Sequence, residues 1–533
     1  MKSIACARIA LVLIATAVML PAMSGARVIH VPVEVGTIKA GILAAEDGDT
    51  IMVAAGVYTG TGFRDLDFGG KAIVVRSQKG PEATVLDCNG TRLEPHRAFW
   101  AHQGEDTTTV IEGFTIRDGF GLNDGPAGHS VGGGIFCVNG SSPWIKDCVF
   151  YNNQAVHAGG GLCCAGGASP VVDSCIFMNN RVLRTGITGY GGAAQCDGSS
   201  PAFRDCLFSS NQANLGGAVS CTGSGASFDR CEFSDNTAET FIPSQPLSPG
   251  VGGAMYLISS SVAVTRCLFN RNRALGGQNS AMQGAKGGGV ACYASLPVLT
   301  NCTFFGNIAE PCDDTILGLG AAIFVQASPA QIFNSIITFN SQAEAVYCDD
   351  ARDDPAAAVP AFSCCDIYGN ERGDWIDGFA DQLDQNGNIS LDPIFCDTVA
   401  GNFHLRQESP CGPDNGICLT VIGAFGVGCE TAADDADIRP PSTMILAQNR
   451  PNPFNQSTTI SYTLSSSSHV RLVIYNVLGQ PIRRLVDRIE ATGSHVARWD
   501  GKDGFGRDVA SGIYVYSIFA DAEHHTRKMI LTR

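Results

Sequence analysis

The chain alternates short apolar and polar runs along most of its length. Segments such as SFDRCEF (227–233) and PVLTNCTF (297–304) place apolar side chains at every second position, and Gly, Ser, Pro or Asn residues interrupt them. This alternation predicts β-strands with one buried face, and the interruptions predict turns. One helix is predicted near the start, where Thr37 can cap a turn that places Ile38 and Ile42 on one face.

A paired signal repeats between residues 132 and 340. Each copy opens on a glycine and reaches an asparagine 20 or 21 residues later, with a Cys-x-Phe-like pair just before it. The opening glycines are Gly132, Gly159, Gly191, Gly216, Gly252, Gly287 and Gly320. The asparagines are Asn153, Asn180, Asn211, Asn236, Asn272, Asn307 and Asn340. One such unit cannot bury its own apolar face, whereas stacked units can, so the repeat predicts an all-β, right-handed parallel β-helix.

Each repeated residue has a structural role in such a stack. Cys148 and Phe150 are expected to point inward and Val149 outward. The asparagines are expected to sit at a corner, to bond the backbone and to form a structural ladder from coil to coil. Cysteines in this register are expected to fill the interior as small apolar groups. Disulfides are expected instead near the irregular end, among Cys364, Cys365, Cys396, Cys411, Cys418 and Cys429.

All length variation between copies falls at one corner, between the asparagine and the next glycine. The insertions there are 181–190, 237–251, 273–286 and 308–319, and segment 119–131 precedes the first copy at the same corner. Loops on one side of a solenoid usually form its working face. The candidate ligand contacts there are Asp124, His129, His157, Arg181, Arg184 and Tyr190, because such donors and an aromatic ring suit sugars or proteins.

Two acidic segments are candidate Ca²⁺ sites, since Ca²⁺ prefers oxygen ligands. CDDARDDP (348–355) contains Asp349, Asp350, Asp353 and Asp354. DQNGNISLD (384–392) places Asp384, Asn386 and Asn388 at alternate positions. Solvated loop acids are the alternative for both segments, and no other cofactor is indicated.

The repeat resembles that of the chlamydial polymorphic outer-membrane proteins, in which a GGA-I/L/V signal precedes F-x-x-N. TIKAGILAAEDGDTIMVAAGVYTG (37–60) resembles the capping helix and first coil of pectate-lyase-like β-helix proteins, and 387–397 and 401–411 resemble closing coils. The resemblance implies a β-helix over 27–429. That group contains polysaccharide lyases, glycosidases and adhesins, so the fold alone does not choose a function.

The end of the chain has a different pattern. ETAADDADIRPPST (430–443) is typical of a linker, and alternating strands with turns follow it over 444–533, which predicts a small β-sandwich. This part resembles the C-terminal sorting domain of type IX secretion cargo and the Ig-like domain of the flagellar hook-capping protein. The matching residues include Pro451–Asn455, Gly479, Trp499–Gly501, Ser511, Gly512 and Tyr514. The resemblance implies an outer-membrane secretion machinery as partner.

The first 26 residues resemble a secretory signal peptide, with Lys2 and Arg8 before an apolar run. No later run is long enough to cross a membrane, so we expect no retained transmembrane helix. Residues 27–443 carry 22 Lys and Arg against 44 Asp and Glu, which argues against a nucleic-acid partner. These features predict a protein secreted by a bacterium or held on its outer surface.

Three functional hypotheses follow. The preferred one is an adhesin-like protein that binds extracellular polysaccharide or another surface through the loop corner, without catalysis. The first alternative is a polysaccharide lyase or glycoside hydrolase, which an acidic Ca²⁺ cluster beside an arginine would favour. The second is a structural surface-layer component, which a large exposed apolar side would favour.

Overall fold

The computed structural model describes residues 26–125, 128–183, 189–239, 249–276, 284–311, 317–349 and 359–429, and most of 445–532. The chain divides into two compact units, residues 1–427 and 428–533. The expected signal segment, except Ala26, and the expected linker lie outside the described residues. Among the residues described, no helix has both the length and the apolarity needed to span a bilayer.

The first unit is a right-handed parallel β-helix, in which the described residues form four parallel sheets. Sheet A contains twelve described strands: Val28–Val31, Thr50–Val53, Val74–Ser77, Val110–Glu112, Trp144–Lys146, Val171–Asp173, Ala202–Arg204, Ser227–Asp229, Ala263–Thr265, Val298–Thr300, Gln331–Phe333 and Ala361–Ser363. Sheet B contains eleven described strands: Gly56–Thr59, Thr84–Asp87, Thr115–Arg117, Val149–Tyr151, Ile176–Met178, Leu207–Ser209, Glu232–Ser234, Leu268–Asn270, Thr303–Phe305, Ile336–Thr338 and Asp366–Tyr368.

Sheets C and D complete each coil. Sheet C contains ten described strands: Leu66–Asp67, Phe99–Ala101, Ile135–Cys137, Leu162–Ala165, Ala194–Asp197, Val219–Thr222, Met255–Ile258, Val290–Tyr293, Ile323–Gln326 and Val346–Cys348. Sheet D contains six described two-residue strands that directly follow ladder asparagines: Gln154–Ala155, Arg181–Val182, Gln212–Ala213, Thr237–Ala238, Arg273–Ala274 and Ile308–Ala309. The insertions of variable length follow sheet D and precede sheet C.

The interior confirms the expected alternation. Cys148 and Phe150 are fully buried, whereas Val149 is only partly covered. Because every coil repeats this register, phenylalanine rings stack along the axis with centroids 4.4–4.9 Å apart. The stacked rings are those of Phe150, Phe177, Phe208, Phe233, Phe269 and Phe304. Such offset contacts stabilise the stack beyond the burial of ring area.

The predicted helix closes the N-terminal end of the stack. It spans Ile38–Ala44, and the hydroxyl of Thr37 accepts a hydrogen bond from the Ala40 amide at 3.1 Å. Ile38 and Ile42 are buried on the face that packs against the first coils. The predicted cap and helix face are therefore confirmed.

The strained position of each corner is the residue before the ladder asparagine. Asn152, Asn179 and Asp235 have φ of 54°, 56° and 57°. Asn and Asp tolerate this left-handed conformation better than most residues. The ladder asparagine that follows is buried, and its φ is not positive.

Ile389 forms a parallel bridge with Asp366 at the end of sheet B, but residues 395–427 do not continue the coils. Phe395–Asp397 pairs antiparallel with Asn402–Leu405, and the segment lies over the outer side of sheet B. The Asn301 side-chain amide donates to Val421 O at 2.7 Å, and a disulfide joins Cys364 to Cys418. Of the two expected closing coils, 387–397 adds a parallel bridge to the end of sheet B at Ile389, whereas the expectation for 401–411 is wrong because these residues cover an apolar patch around Ile336.

The second unit is a small Ig-like β-sandwich. Its described strands form a three-stranded sheet of Ile445–Leu446, Thr458–Leu464 and Gly493–Trp499. They also form a four-stranded antiparallel sheet of Pro481–Glu490, Ser468–Asn476, Gly512–Ala520 and Glu523–Leu531. Trp499 and Tyr516 are fully buried between the sheets.

Candidate functional site

The outer face of sheet C differs from an ordinary solvated sheet face. Its in-register residues, named here the outer row, are Asp67, Trp100, Phe136, Cys163, Gln195, Ser220, Tyr256, Ala291, Phe324 and Tyr347. A column of bridge residues, named here the edge column, borders it where the insertions end: Val131, Ala158, Tyr190, Leu215, Val251, Lys286 and Leu319. Residues of the outer row and the edge column pack into two apolar clusters on the outside of the β-helix, and Tyr190 contacts both clusters.

Aromatic rings dominate the C-terminal half of this face. The ring of Tyr256 lies 6.4 Å from that of Tyr190 and 5.5 Å from that of Tyr293. Phe324 lies 5.3 Å from Tyr293 and stacks on Tyr347 at 5.9 Å. Burial raises the pKa of the Tyr256 phenol to about 12, so this phenol stays protonated at neutral pH.

Polar atoms without partners lie within and between the two apolar clusters of this face. Gln195 is 4% exposed and Ser220 is fully buried. Within the described residues, Oε1 of Gln195, Oγ of Ser220 and Nε1 of Trp100 have no hydrogen-bond partner. Buried polar groups are normally paired, because leaving one unpaired costs about 1–3 kcal/mol. The middle of the outer row therefore contains buried hydrogen-bonding groups that the described residues do not satisfy.

Arg97 lies at the N-terminal end of the same face. Its Nη2 donates to Oδ1 of Asp124 at 2.6 Å and to Val131 O at 3.1 Å, and its guanidinium lies 5.0 Å from the Phe136 ring centroid. The Arg97 side chain is 2% exposed, whereas Asp124 is 30% exposed. Within the described residues, Nε and Nη1 of Arg97 have no partner.

The histidines of the loop corner form a stacked pair. The rings of His129 and His157 are parallel with centroids 4.2 Å apart, and Nδ1 of His157 accepts from the Ser130 amide at 3.0 Å. His157 precedes Ala158 of the edge column, and Asp124 is held beside Val131 by Arg97. The structure thus places Asp124, His129, His157 and Tyr190 along one border of sheet C.

Arg181 lies elsewhere. It is on the outer face of sheet D near Glu239, whose pKa is raised by burial, an effect that the positive charge of Arg181 opposes in part. Arg273 pairs with Glu310 on the same sheet. Arg184 lies outside the described residues.

A surface hollow of about 340 Å³ adjoins sheet D at its first coil, lined by Gly90, Thr91, Arg92, Phe120, Gln154, Val156 and Leu183.

The candidate Ca²⁺ ligands that the structure describes do not form a converging set. Asp384 and Asn386 are exposed, whereas Asn388 is buried, with its Oδ1 accepting from the Cys365 amide at 3.0 Å. Asp349 accepts from Gln326 Nε2 at 2.9 Å, and Asp350, Asp353 and Asp354 lie outside the described residues. In the described part of the chain, no group of three His, Cys, Asp or Glu side chains is arranged to hold a metal ion.

The asparagine column is a continuous hydrogen-bonded ladder. Each carboxamide oxygen accepts from the main-chain and side-chain amides of the preceding asparagine at 2.8–3.1 Å. The ladder begins at the Gly119 amide and continues past Asn340 to Asn370, which the Asp374 carboxylate caps. All of these side chains are satisfied by protein atoms, so the ladder is structural and does not form part of a binding strip.

Sequence reasoning missed Arg97, Gln195 and Ser220. Arg97 lies outside the repeat. Gln195 and Ser220 precede the inward cysteines of GGAAQC and GGAVSC, where the alternation alone points a polar side chain outward. Their burial and their lack of hydrogen-bond partners depend on the folded chain and cannot be seen in the sequence.

The coils and sheets described above define a right-handed parallel β-helix protein with an Ig-like second unit. The family described as the right-handed beta helix region matches residues 72–244 and 197–388, which together are more than half of the chain. The chain therefore belongs to this family. The FlgD Ig-like domain matches residues 450–523. A comparison with curated protein sequences gives no match.

Several solved structures are similar at low identity. The PL6 family alginate lyase AlyGC is 11% identical with a TM-score of 0.36, over 74% of this chain and 59% of that one. A mannuronic acid specific family 6 lyase from human gut microbiota is 11% identical with a TM-score of 0.33, over 64% and 87%. Tailspike protein 3 of bacteriophage CBA120 is 12% identical with a TM-score of 0.32, over 63% of this chain and only 50% of its own length.

Proposed function

We propose that this is a bacterial protein, secreted or displayed on the outer surface, that binds extracellular polysaccharide along the outer row of sheet C and its bordering loops. The observation that carries the proposal is the outer row of sheet C, where unpartnered polar atoms of Gln195 and Ser220 lie between two apolar clusters, one of which contains the unpartnered Nε1 of Trp100. Sugar rings present both hydroxyl groups and apolar faces, so a mixed surface of this kind suits them.

Substitutions that remove the unpartnered atoms test polysaccharide binding separately from stability. The mature full chain carrying Gln195→Leu and Ser220→Ala is expected to unfold at the same or a higher temperature, because unsatisfied buried groups are lost. Its retardation in affinity gels containing polysaccharide is expected to disappear. Ser224→Ala is the matched control, because the Ser224 hydroxyl donates to Ser199 O at 2.6 Å. It should lower stability and leave binding unchanged. Equal retardation of the double variant and the wild type would refute binding on the outer row.

The same incubations distinguish binding from cleavage. Ultraviolet absorbance of unsaturated uronate products, with and without Ca²⁺, reports a lyase. A constant absorbance with continued retardation supports the adhesin-like role. A Ca²⁺-dependent rise would replace that role with the lyase alternative.

The second unit carries the proposed route of export. Residues 444–533 engage an outer-membrane secretion machinery, and the match of 450–523 to the FlgD Ig-like domain supports a discrete module for this role. In the native bacterium, deletion of 444–533 is expected to leave the chain inside the outer membrane, where external protease does not reach it. Surface exposure of the deleted chain would refute the sorting role.

A further inference from the structure

Lys286 is a buried lysine beside an aromatic ring on the border of sheet C. It belongs to the edge column between Val251 and Leu319, and it is 9% exposed. Its Nζ lies 4.9 Å from the centroid of the Phe324 ring, in the cluster that also contains Tyr256 and Tyr293. A lysine amine is therefore held at the aromatic end of sheet C, where the neighbouring column positions are aliphatic.

The amine of Lys286 has no hydrogen-bond or ion-pair partner in the described part of the chain. Burial lowers the pKa of Lys286, and Asp349 opposes this effect only through space. The Asp349 carboxylate accepts instead from Gln326 Nε2 at 2.9 Å. The side chain thus holds an ammonium group close to a carboxylate without forming an ion pair with it.

An arrangement of this kind is costly for a structural residue. A desolvated ammonium group loses hydration, and a cation–π contact with one ring returns only part of that loss. A methionine or leucine would pack beside Phe324 without the cost, as Val251 and Leu319 do in the adjacent coils. A ligand group that accepts hydrogen bonds and carries negative charge would complement the ammonium protons, for which the described residues supply no acceptor.

We infer that Lys286 is a subsite for an anionic group, a carboxylate or a sulfate ester, on the polysaccharide bound along sheet C. The inference rests on the proposed function and adds a substrate class to it. Lys286 follows Tyr190 by three steps of the edge column, about 14 Å at the usual strand spacing. The anionic subsite at Lys286 therefore lies away from Asp124, His129 and His157. A polymer that contacts both Lys286 and these three residues must lie along the axis of the β-helix.

The test compares Lys286→Met with the wild-type full chain on three probes: polygalacturonate, dextran sulfate and uncharged dextran. Loss of the amine is expected to weaken binding of at least one acidic polymer about tenfold or more and to leave dextran unchanged. Lys286→Arg is expected to retain most of that affinity. Lys39→Met is the matched control, because it makes the same charge change at an exposed helix residue. The acidic polymer that loses affinity identifies carboxylate or sulfate as the group.

The outcomes separate the two proposals. Lys286→Met removes a buried charge, so its unfolding temperature should not fall, and a folded variant is available for measurement. Undiminished binding of both acidic polymers by Lys286→Met overturns the anionic subsite and leaves polysaccharide binding intact. Equal losses in Lys286→Met and Lys39→Met also overturn it, because net charge then explains the effect. Binding of no polymer by the wild type overturns both proposals.

Discussion

The side-chain amide of Asn211 donates to Oδ1 of Asn236 at 3.0 Å, and the Asn236 oxygen also accepts from the Asn211 main-chain amide at 3.0 Å. Asn211 Nδ2 donates in addition to Phe177 O at 2.8 Å. One carboxamide thus connects three successive coils at a fully buried corner. A buried amide without partners is costly. Each asparagine therefore stabilises the corner by pairing the amide and carbonyl groups of the adjacent coils.

Asn211→Ala is expected to lower the free energy of unfolding by about 2–4 kcal/mol, because it leaves donors on Asn180 and an acceptor on Phe177 unpaired. Urea unfolding followed by circular dichroism measures the loss. Asn123→Ala, at an exposed position, is the control and should change stability by less than about 0.5 kcal/mol. Equal effects of the two substitutions would contradict a structural ladder.

The Arg97–Asp124 pair gives a second prediction. Asp124→Ala is expected to cost on the order of 3 kcal/mol, because it leaves a buried guanidinium without its carboxylate. Arg97→Met combined with Asp124→Ala should recover much of the loss, since the side chain that remains beside Phe136 is uncharged.

The four unfolding free energies of this double-mutant cycle measure the coupling of the pair. Exposed Asn123→Ala, adjacent in the same loop, controls for local loop changes. A double variant that is less stable than Asp124→Ala alone would show that Arg97 stabilises the fold through packing and not through its charge.

The repeat predicted the parts of the fold that depend on alternation and stacking. Phe150, Cys148 and the asparagine column follow from one register repeated in seven copies, because each copy must bury the same face. Asn370 extends the ladder although no glycine signal precedes it at the usual distance, so the sequence repeat ends one coil before the ladder does.

The candidate site was less predictable. The loop residues Asp124, His129, His157 and Tyr190 follow from where the insertions fall. Arg97 precedes the repeat, and it reaches Asp124 only because the chain folds a segment 27 residues away onto it. Lys286 ends an insertion and gives no signal of its own, since its burial against Phe324 depends on a neighbouring coil.

Asp366 makes the first unit sensitive to pH. It is fully buried under residues 389–427, where it accepts from the Leu391 amide at 3.0 Å, and burial raises its pKa from 3.8 to about 7. The folded state therefore holds a proton that the unfolded state releases between about pH 4 and pH 7. The stabilisation that this proton provides is complete below pH 4 and is lost as the pH rises through 7.

Asp366→Asn should remove that dependence, because the amide does not ionise. The free energy of unfolding of the wild type is expected to fall by on the order of 1–4 kcal/mol relative to the variant between pH 4 and pH 8. Urea unfolding at four pH values measures it. Asp381→Asn, at an exposed residue of the neighbouring 3-10 helix, should reproduce the wild-type profile. Parallel profiles for the wild type and Asp366→Asn would show that Asp366 is already ionised when folded.

The chain contains both disulfides and buried free thiols, and the two states differ in their reactivity. Cys364–Cys418 is a disulfide, and Cys396 and Cys429 are also disulfide-bonded. Fifteen cysteines in the described residues are buried and outside disulfides. Cys206 donates to Arg204 O at 3.1 Å, and burial raises the pKa of the Cys302 thiol to about 12, so the thiolate of Cys302 is scarce at pH 8.

Iodoacetamide at pH 8 is therefore expected to leave these fifteen residues unlabelled in the folded protein and to label all of them in guanidinium without reductant. Peptide mass spectrometry identifies each site. Cys364 and Cys418 are the internal control, because they should be labelled only after reduction. If Cys175 and Cys206 also needed reduction, adjacent coils would be joined by disulfides, and the interior cysteines would be covalent links rather than apolar filling.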